Sequence, residues 1–248
     1  MRTTKVMLPF ILGIGFISQA QANEDAEFML GLGVSSGKSI YKGVGTETDV
    51  IPMFAYEKGD FYLMGPELGY HLVNNEQFQL TAIASYRLEG YEAGDSTALA
   101  GMDERKGAIE LGIGASFDTA YGEWSATALA DVSNEHDGYE LALGWEKRIE
   151  LSRQWSLTPE ATISYRSKDL NNYYYGVKAS EATANRAVYT ADSGSVYGFG
   201  INADYMIDQQ QMVRLGAGYT HYGNEISNSS IVEKDSNYDL SAMYIYRF

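Results

Sequence analysis

Asn237 to Phe248, the last stretch of the chain, sets the pattern that the rest repeats. Every second residue back from Phe248 reads Tyr246, Tyr244, Ala242, Leu240 and Tyr238, an apolar and aromatic face. The other face reads Arg247, Ile245, Met243, Ser241, Asp239 and Asn237, mostly polar. A period of two predicts a β-strand with one apolar side. Strands in soluble sheets have a mode of about 5–6 residues. About 9–11 residues cross a bilayer in a barrel, and this stretch fits that length.

The same alternation predicts strands along the whole chain. It places Phe28, Leu30, Leu32 and Val34 on one face, then Val50, Pro52, Phe54 and Tyr56, then Tyr62, Met64, Leu68, Tyr70 and Leu72. Further segments start at Phe78, Ile109, Trp124, Tyr139, Trp155, Tyr197 and Val213. From about residue 73 onward, short turns alternate with long polar loops, as in outer-membrane barrels. Residues 90–106, 134–138, 167–194 and 224–236 then lie outside the cell. Eleven segments are countable, and a bacterial barrel of one chain needs an even number. The fold expected is all-β, one antiparallel transmembrane β-barrel of twelve strands, with ten as the alternative. Either a twelfth strand hides in a loop or residues 50–72 form one bent strand. Pro52 and Pro66 fall in this region, and bulges or bends are expected there.

The N-terminus agrees with export. Met1 to Lys5 is basic, Val6 to Ile17 is apolar but too short to span a bilayer, and Ala20-Gln21-Ala22 has the small-x-small form of a signal-peptidase site. The expectation is a signal peptide over 1–22 and a barrel over 23–248. Loss of Arg2 and Lys5 takes the net charge from −15 to −17. Such an acidic chain is a poor partner for nucleic acid. With no cysteine, neither a disulfide framework nor a thiol nucleophile is available. Tyrosine outnumbers the other aromatics, 20 against 9 Phe and 3 Trp, and a ring with a polar tip suits the girdles of a barrel.

The polar faces carry charge at Arg87, Glu110, Glu140, Glu146, Arg148, Glu160, Arg166 and Arg214, all expected inside the barrel. They form either an ionic plug or the wall of an aqueous path that favours cations. Catalysis has little to work with. His71 is expected on the outer face of its strand. His136, between Glu135 and Asp137, reads as a solvated loop residue. His221 has Gly223 where a barrel hydrolase would place serine. No zinc spacing or phosphate loop occurs, so no cofactor or metal is expected.

Several stretches together resemble the MipA/OmpV family of outer-membrane proteins, also described as MltA-interacting proteins. They are Gly31-Leu32-Gly33-Val34, Tyr41-Lys42-Gly43, Ile51-Pro52, Gly59-Asp60-Phe61-Tyr62 and Gly69-Tyr70. The most specific is the loop Tyr174, Tyr175, Gly176, Val177 with Arg186 and Tyr189. Ser230-Ile231-Val232-Glu233 and the closing Tyr246-Arg247-Phe248 complete the likeness, which covers essentially all of 23–248. Tyr244, Tyr246 and Phe248 resemble the signal by which barrels are recognised for insertion. The resemblance implies a non-enzymatic protein of the Gram-negative cell outer membrane, in contact with its lipids. It also implies a scaffold between a lytic transglycosylase and a penicillin-binding protein in peptidoglycan turnover. The alternatives are a small-solute, cation-leaning channel and a surface adhesin or antigen. The loop around Tyr174 reads equally as an exposed binding surface or as a segment folded into the barrel mouth.

Overall fold

The structure, a computed structural model, describes residues 26–248. The signal-peptide expectation lies outside these residues. The strands are β1 (Glu27–Lys38), β2 (Thr46–Lys58), β3 (Phe61–Met64), β4 (Glu67–Asn74), β5 (Phe78–Arg87), β6 (Ala108–Thr119), β7 (Gly122–Asp131), β8 (Tyr139–Glu146), β9 (Ile149–Glu150), β10 (Trp155–Arg166), β11 (Gly194–Met206), β12 (Gln211–Tyr222) and β13 (Ser236–Arg247). Each pairs antiparallel with its neighbour, and β1 pairs with β13, which closes the sheet. β8 and the two-residue β9 both pair with β10 and form one wall strand, broken at Lys147 and Arg148. The result is a closed twelve-stranded antiparallel barrel.

The uncounted strand sits neither in a loop nor in one long bend. The segment from Tyr62 to Leu72 is two strands, β3 and β4, folded back on each other at Gly65-Pro66. Gly65 adopts φ +51°, which glycine takes without strain. Because β3 is only four residues long, β2 pairs with it only from Ala55 to Lys58. The Gly65 N–H bonds to the Phe54 carbonyl and ends the ladder. Among the described residues, the second edge of β2 from Thr46 to Met53 has no strand partner. Pro52 lies two residues from Phe54 and faces that same edge, where its missing N–H costs no ladder bond. Pro159 is accommodated differently: its carbonyl accepts from the Lys147 N–H at the break between β8 and β9.

The outward faces are apolar through the middle of the wall. Leu32, Val50, Leu143, Phe199 and Leu240 are all more than half exposed, as a membrane-facing belt requires. Aromatic pairs mark both rims. Tyr219 meets Tyr238 at 4.8 Å and Tyr139 meets Tyr165 at 6.4 Å toward the long loops. At the opposite rim Trp124 meets Trp145, Trp155 meets Tyr205, and Tyr246 meets Phe248. Tyr244 donates to Gln211 Oε1 at 2.7 Å on that rim. The expected Tyr girdle is therefore an outer one, while the inner one draws on Trp and Phe as well.

The core sits above the barrel rather than within the wall. Ile40, Tyr41, Tyr91, Leu99, Leu170, Tyr174, Tyr175, Ile226 and Ile231 are buried in one cluster contributed by the outer loops. Two helices help build it: α1 (Lys168–Tyr175), capped by the Ser167 side chain, and α2 (Asn224–Ser227). The long loops are thus a folded cap with its own apolar interior.

Candidate functional site

Three layers fill the barrel from the outer end inward. The first is the cap, and it answers the open question about the family-motif loop. Tyr174, Tyr175 and Val177 are at most 2% exposed, so they are core and not a binding surface. The Gly176 N–H closes α1 on the Asn172 carbonyl. Tyr189 donates through its hydroxyl to the Glu225 carbonyl at 2.9 Å. Arg186 is a staple between loops: it donates to the carbonyls of Ala98 at 2.7 Å, Ala100 at 3.1 Å and Glu181 at 2.6 Å. Arg105 does the same from the other side, reaching the Tyr173 carbonyl at 2.6 Å and the Glu181 carboxylate at 3.0 Å. Its guanidinium also lies over the rings of Tyr91 and Tyr173.

Glu181 is the hub of this stapling. Its carboxylate also accepts from the N–H groups of Asp103 and Lys178 at 3.0 and 2.9 Å. Burial pushes its carboxyl up, but the two N–H groups and the Arg105 guanidinium outweigh burial and hold it below the ordinary value. A carboxyl depressed in the folded state stabilises above its unfolded value and loses that contribution as pH falls through the folded value. The cap is therefore expected to hold from neutral pH down to about 4.3, the ordinary Glu value. Below that, amide protection at 98–106 and 178–186 should fall. Hydrogen exchange checks this, and E181Q should start lower and lack the acid-dependent step.

The second layer closes the mouth beneath the cap. Arg87, at the end of β5, reaches Glu110 at 2.9 Å, Glu140 at 3.1 Å and Glu89 at 3.3 Å. Arg166, at the end of β10, reaches Glu89 at 3.2 Å. Its Nε lies 3.0 Å from Glu140, close enough for an ion pair though off the line of a hydrogen bond. The Tyr175 hydroxyl donates to Glu89, which ties cap and plug together. These charges are nearly all buried, and every one of them faces an opposite charge.

His136 belongs to this layer, contrary to its reading as a solvated loop residue. Its ring is fully buried, with Nε2 at 3.2 Å from Glu110. Nδ1 accepts from the Gly138 N–H, so the hydrogen of a neutral ring sits on Nε2. Both nitrogens are engaged, which leaves neither for a nucleophile. The turn that carries it is pinned by Asp131, whose carboxylate accepts from the N–H groups of Ser133, Glu135, His136 and Asp137. His71 also departs from expectation. It faces inward, 2.9 Å from the Thr81 hydroxyl, because Tyr70 and Leu72 on either side of it turn outward. His221 packs beside the Tyr197 ring at 6.2 Å.

The third layer is a cavity of about 500 Å³ inside the wall. Glu146 and Glu160 line it, and Asn202 donates to Glu160 at 3.3 Å. Arg148 and Arg214 converge instead on one carboxylate, Asp204, at 3.2 and 2.7 Å. The eight inward charges thus separate into a paired plug, a carboxylate chamber and a single Arg–Asp–Arg cluster. Alternation along β11 also puts Asp204 inside, but does not mark it as the centre of the last group. Its signal was position: it stands opposite Arg214 in the β11–β12 register. Among the described residues, no group of three or more His, Asp and Glu is arranged to hold a metal ion.

Residues 30–248 match the family described as MltA-interacting protein MipA. The outer membrane protein OmpV of Vibrio cholerae is 32% identical over 199 residues, which cover 79% of this chain and 76% of that one. Outer membrane protein Omp26La of Vibrio anguillarum is 35% identical over 158 residues, 64% of this chain and 61% of its own length. The MltA-interacting protein of Escherichia coli K12 is 27% identical over 245 residues, 96% of this chain and 98% of that one. A solved structure described as a bacterial polysaccharide outer membrane secretin superposes with a TM-score of 0.52. It covers 92% of this chain and 100% of that one at 9% identity, a likeness of fold alone. With the family match running from β1 to Phe248, this outer-membrane barrel belongs to the MltA-interacting protein MipA family.

Proposed function

We propose that the protein is a closed, non-enzymatic barrel that works as an interaction protein in murein turnover. It docks a lytic transglycosylase, and through it a penicillin-binding protein, on the periplasmic side. The observation that carries this reading is the closed outer end. A solute would have to pass the apolar cap and then the layer where Arg87 and Arg166 hold Glu89, Glu110 and Glu140. The partner class comes from kinship: a relative matched over nearly its whole length is named for interaction with MltA. The docking face would be the short turns and the inner aromatic rim, where Tyr121 stands 78% exposed. Tight turns supply little of the roughly 1,600 Å² that a stable interface buries, so the rim of Trp124, Trp145 and Phe248 must contribute. Lipids of the outer membrane cover the apolar belt. Purified barrel on a biosensor should retain a purified lytic transglycosylase, and the Tyr121→Ala variant should retain less. No retention by the folded barrel would refute the reading.

A second reading, a cation-leaning channel, is favoured by one observation: the chamber below the plug is lined by carboxylates. It requires the cap to open.

A further inference from the structure

One row of paired residues runs around the inside of the barrel through nine strands. From β2 to β6 by way of the closure it carries the carboxylates Glu47, Asp239, Glu160, Glu146, Glu123 and Asp118. The three remaining positions are glycines: Gly37, Gly218 and Gly200. No cation and no bulky residue interrupts the row. The glycines make room for their neighbours: a Cβ on Gly200 would collide with the Glu160 carboxylate, and one on Gly37 would stand 3.1 Å from Asp239 Cβ. Among the described residues none of Glu47, Glu123, Glu146, Glu160 and Asp239 has an ion-pair partner. Of the cations that line the chamber, Arg87 and Arg166 are committed to the plug carboxylates and Lys38 is exposed at the end of β1, while Arg148 and Arg214 are committed to Asp204.

Asp239 is the independent sign that something else belongs there. It is only 3% exposed, it lines the chamber, and neither of its carboxylate oxygens has a hydrogen-bond partner in the protein. Asn237 and Asp49, on the same wall, each leave a buried oxygen unpartnered as well. Buried carboxylates without partners are costly, and like charges in one chamber add to the cost. A positively charged ligand removes both penalties.

We propose that the chamber is a binding site for an extended organic polycation of the aliphatic polyamine class. The absence of a converging metal cage among the described residues disfavours a bare divalent ion. Adjacent strands lie about 4.8 Å apart. Neighbouring carboxylates of the row are therefore one to a few strand widths apart, the separation of amines along a short aliphatic chain. The chamber's volume of about 500 Å³ accommodates such a chain. On one side the chamber comes up against a break in the wall. The unpaired edge of β2 borders Glu47 and Asp49, and the chamber reaches from them to Pro66, Glu67 and Tyr86 across the gap. An unpaired backbone edge is tolerated at membrane depth where it lines a water-filled space.

Isothermal titration of the refolded mature chain in detergent with spermidine tests the site. The expected result is saturable binding, weakened about tenfold by D239N and by E160Q, the loss of one charge-assisted contact in each case. A heat-dependent shift in SDS mobility confirms that each variant is folded. Magnesium at the same concentration should leave spermidine binding largely in place, and this competition uses the unaltered protein, so it decides the matter even if a variant does not fold. Absence of saturation, binding untouched in both folded variants, or full displacement by equimolar magnesium would each overturn the proposal.

Discussion

Arg166→Met is expected to cost about 3–5 kcal/mol, the effect of removing one partner from a buried charge network. Arg166 faces Glu89 and Glu140 at 3.2 and 3.0 Å, and its side chain is only 7% exposed. Methionine keeps much of the side-chain volume and removes the charge. Arg87 would then face three carboxylates alone, since Glu110 is already its partner. The temperature at which the folded band disappears in SDS should fall sharply. Adding Glu89→Gln and Glu140→Gln to the same chain should restore much of the loss, because the cost lies in uncompensated charge more than in lost attraction. If R166M alone leaves the transition unmoved, the plug is not a stabilising element.

Gly112→Val should be more damaging still, and should prevent the folded band from forming. Gly112 lies in β6, where β7 crosses close. A Cβ there would collide with the Ala128 carbonyl and stand 3.0 Å from Leu129 Cα. Both obstacles are backbone, and a wall strand cannot yield without breaking the β6–β7 ladder that runs from Thr119 to Glu110. Overpacking a core typically costs about 1–3 kcal/mol, and collision with a paired backbone lies above that range. Gly94→Ala is the control, since its Cβ would meet nothing within 4 Å. A folded G112V barrel with an unchanged thermal transition would contradict the tight β6–β7 contact.

Much of this was legible in the sequence, because a barrel wall obeys the shortest of all periods. Lipid-facing and lumen-facing residues alternate, so Leu240 and Asp239 declare their sides by neighbourhood alone. The strand count failed where alternation continues across a turn. Leu63-Met64-Gly65-Pro66-Glu67-Leu68 keeps apolar residues on both sides of a reversal, and only the Gly-Pro pair marks it. The cap was not legible. Its core joins Ile40, Leu99, Leu170, Ile226 and Ile231 from four loops, and no local period connects residues that distant. His136 misled for the same reason. Its sequence neighbours Glu135 and Asp137 are acidic, as in a solvated loop, while its buried partner Glu110 comes from another strand. The family-motif residues were recognised as special without their role. Arg186 and Tyr189 staple loops, a function visible only once the loops are folded together. Pairing of the lumen charges was likewise set by register across the sheet, not by spacing along the chain.

Closure of the outer mouth is read out by single-channel recording of the refolded mature chain in a planar bilayer. A silent bilayer is expected at neutral pH, with insertion verified by resistance to SDS unfolding without heat. R166M or E181Q, by loosening plug or cap, should bring intermittent current where the intact chain gives none. Steady, cation-selective steps from the intact protein would contradict closure and make the chamber carboxylates the wall of a channel.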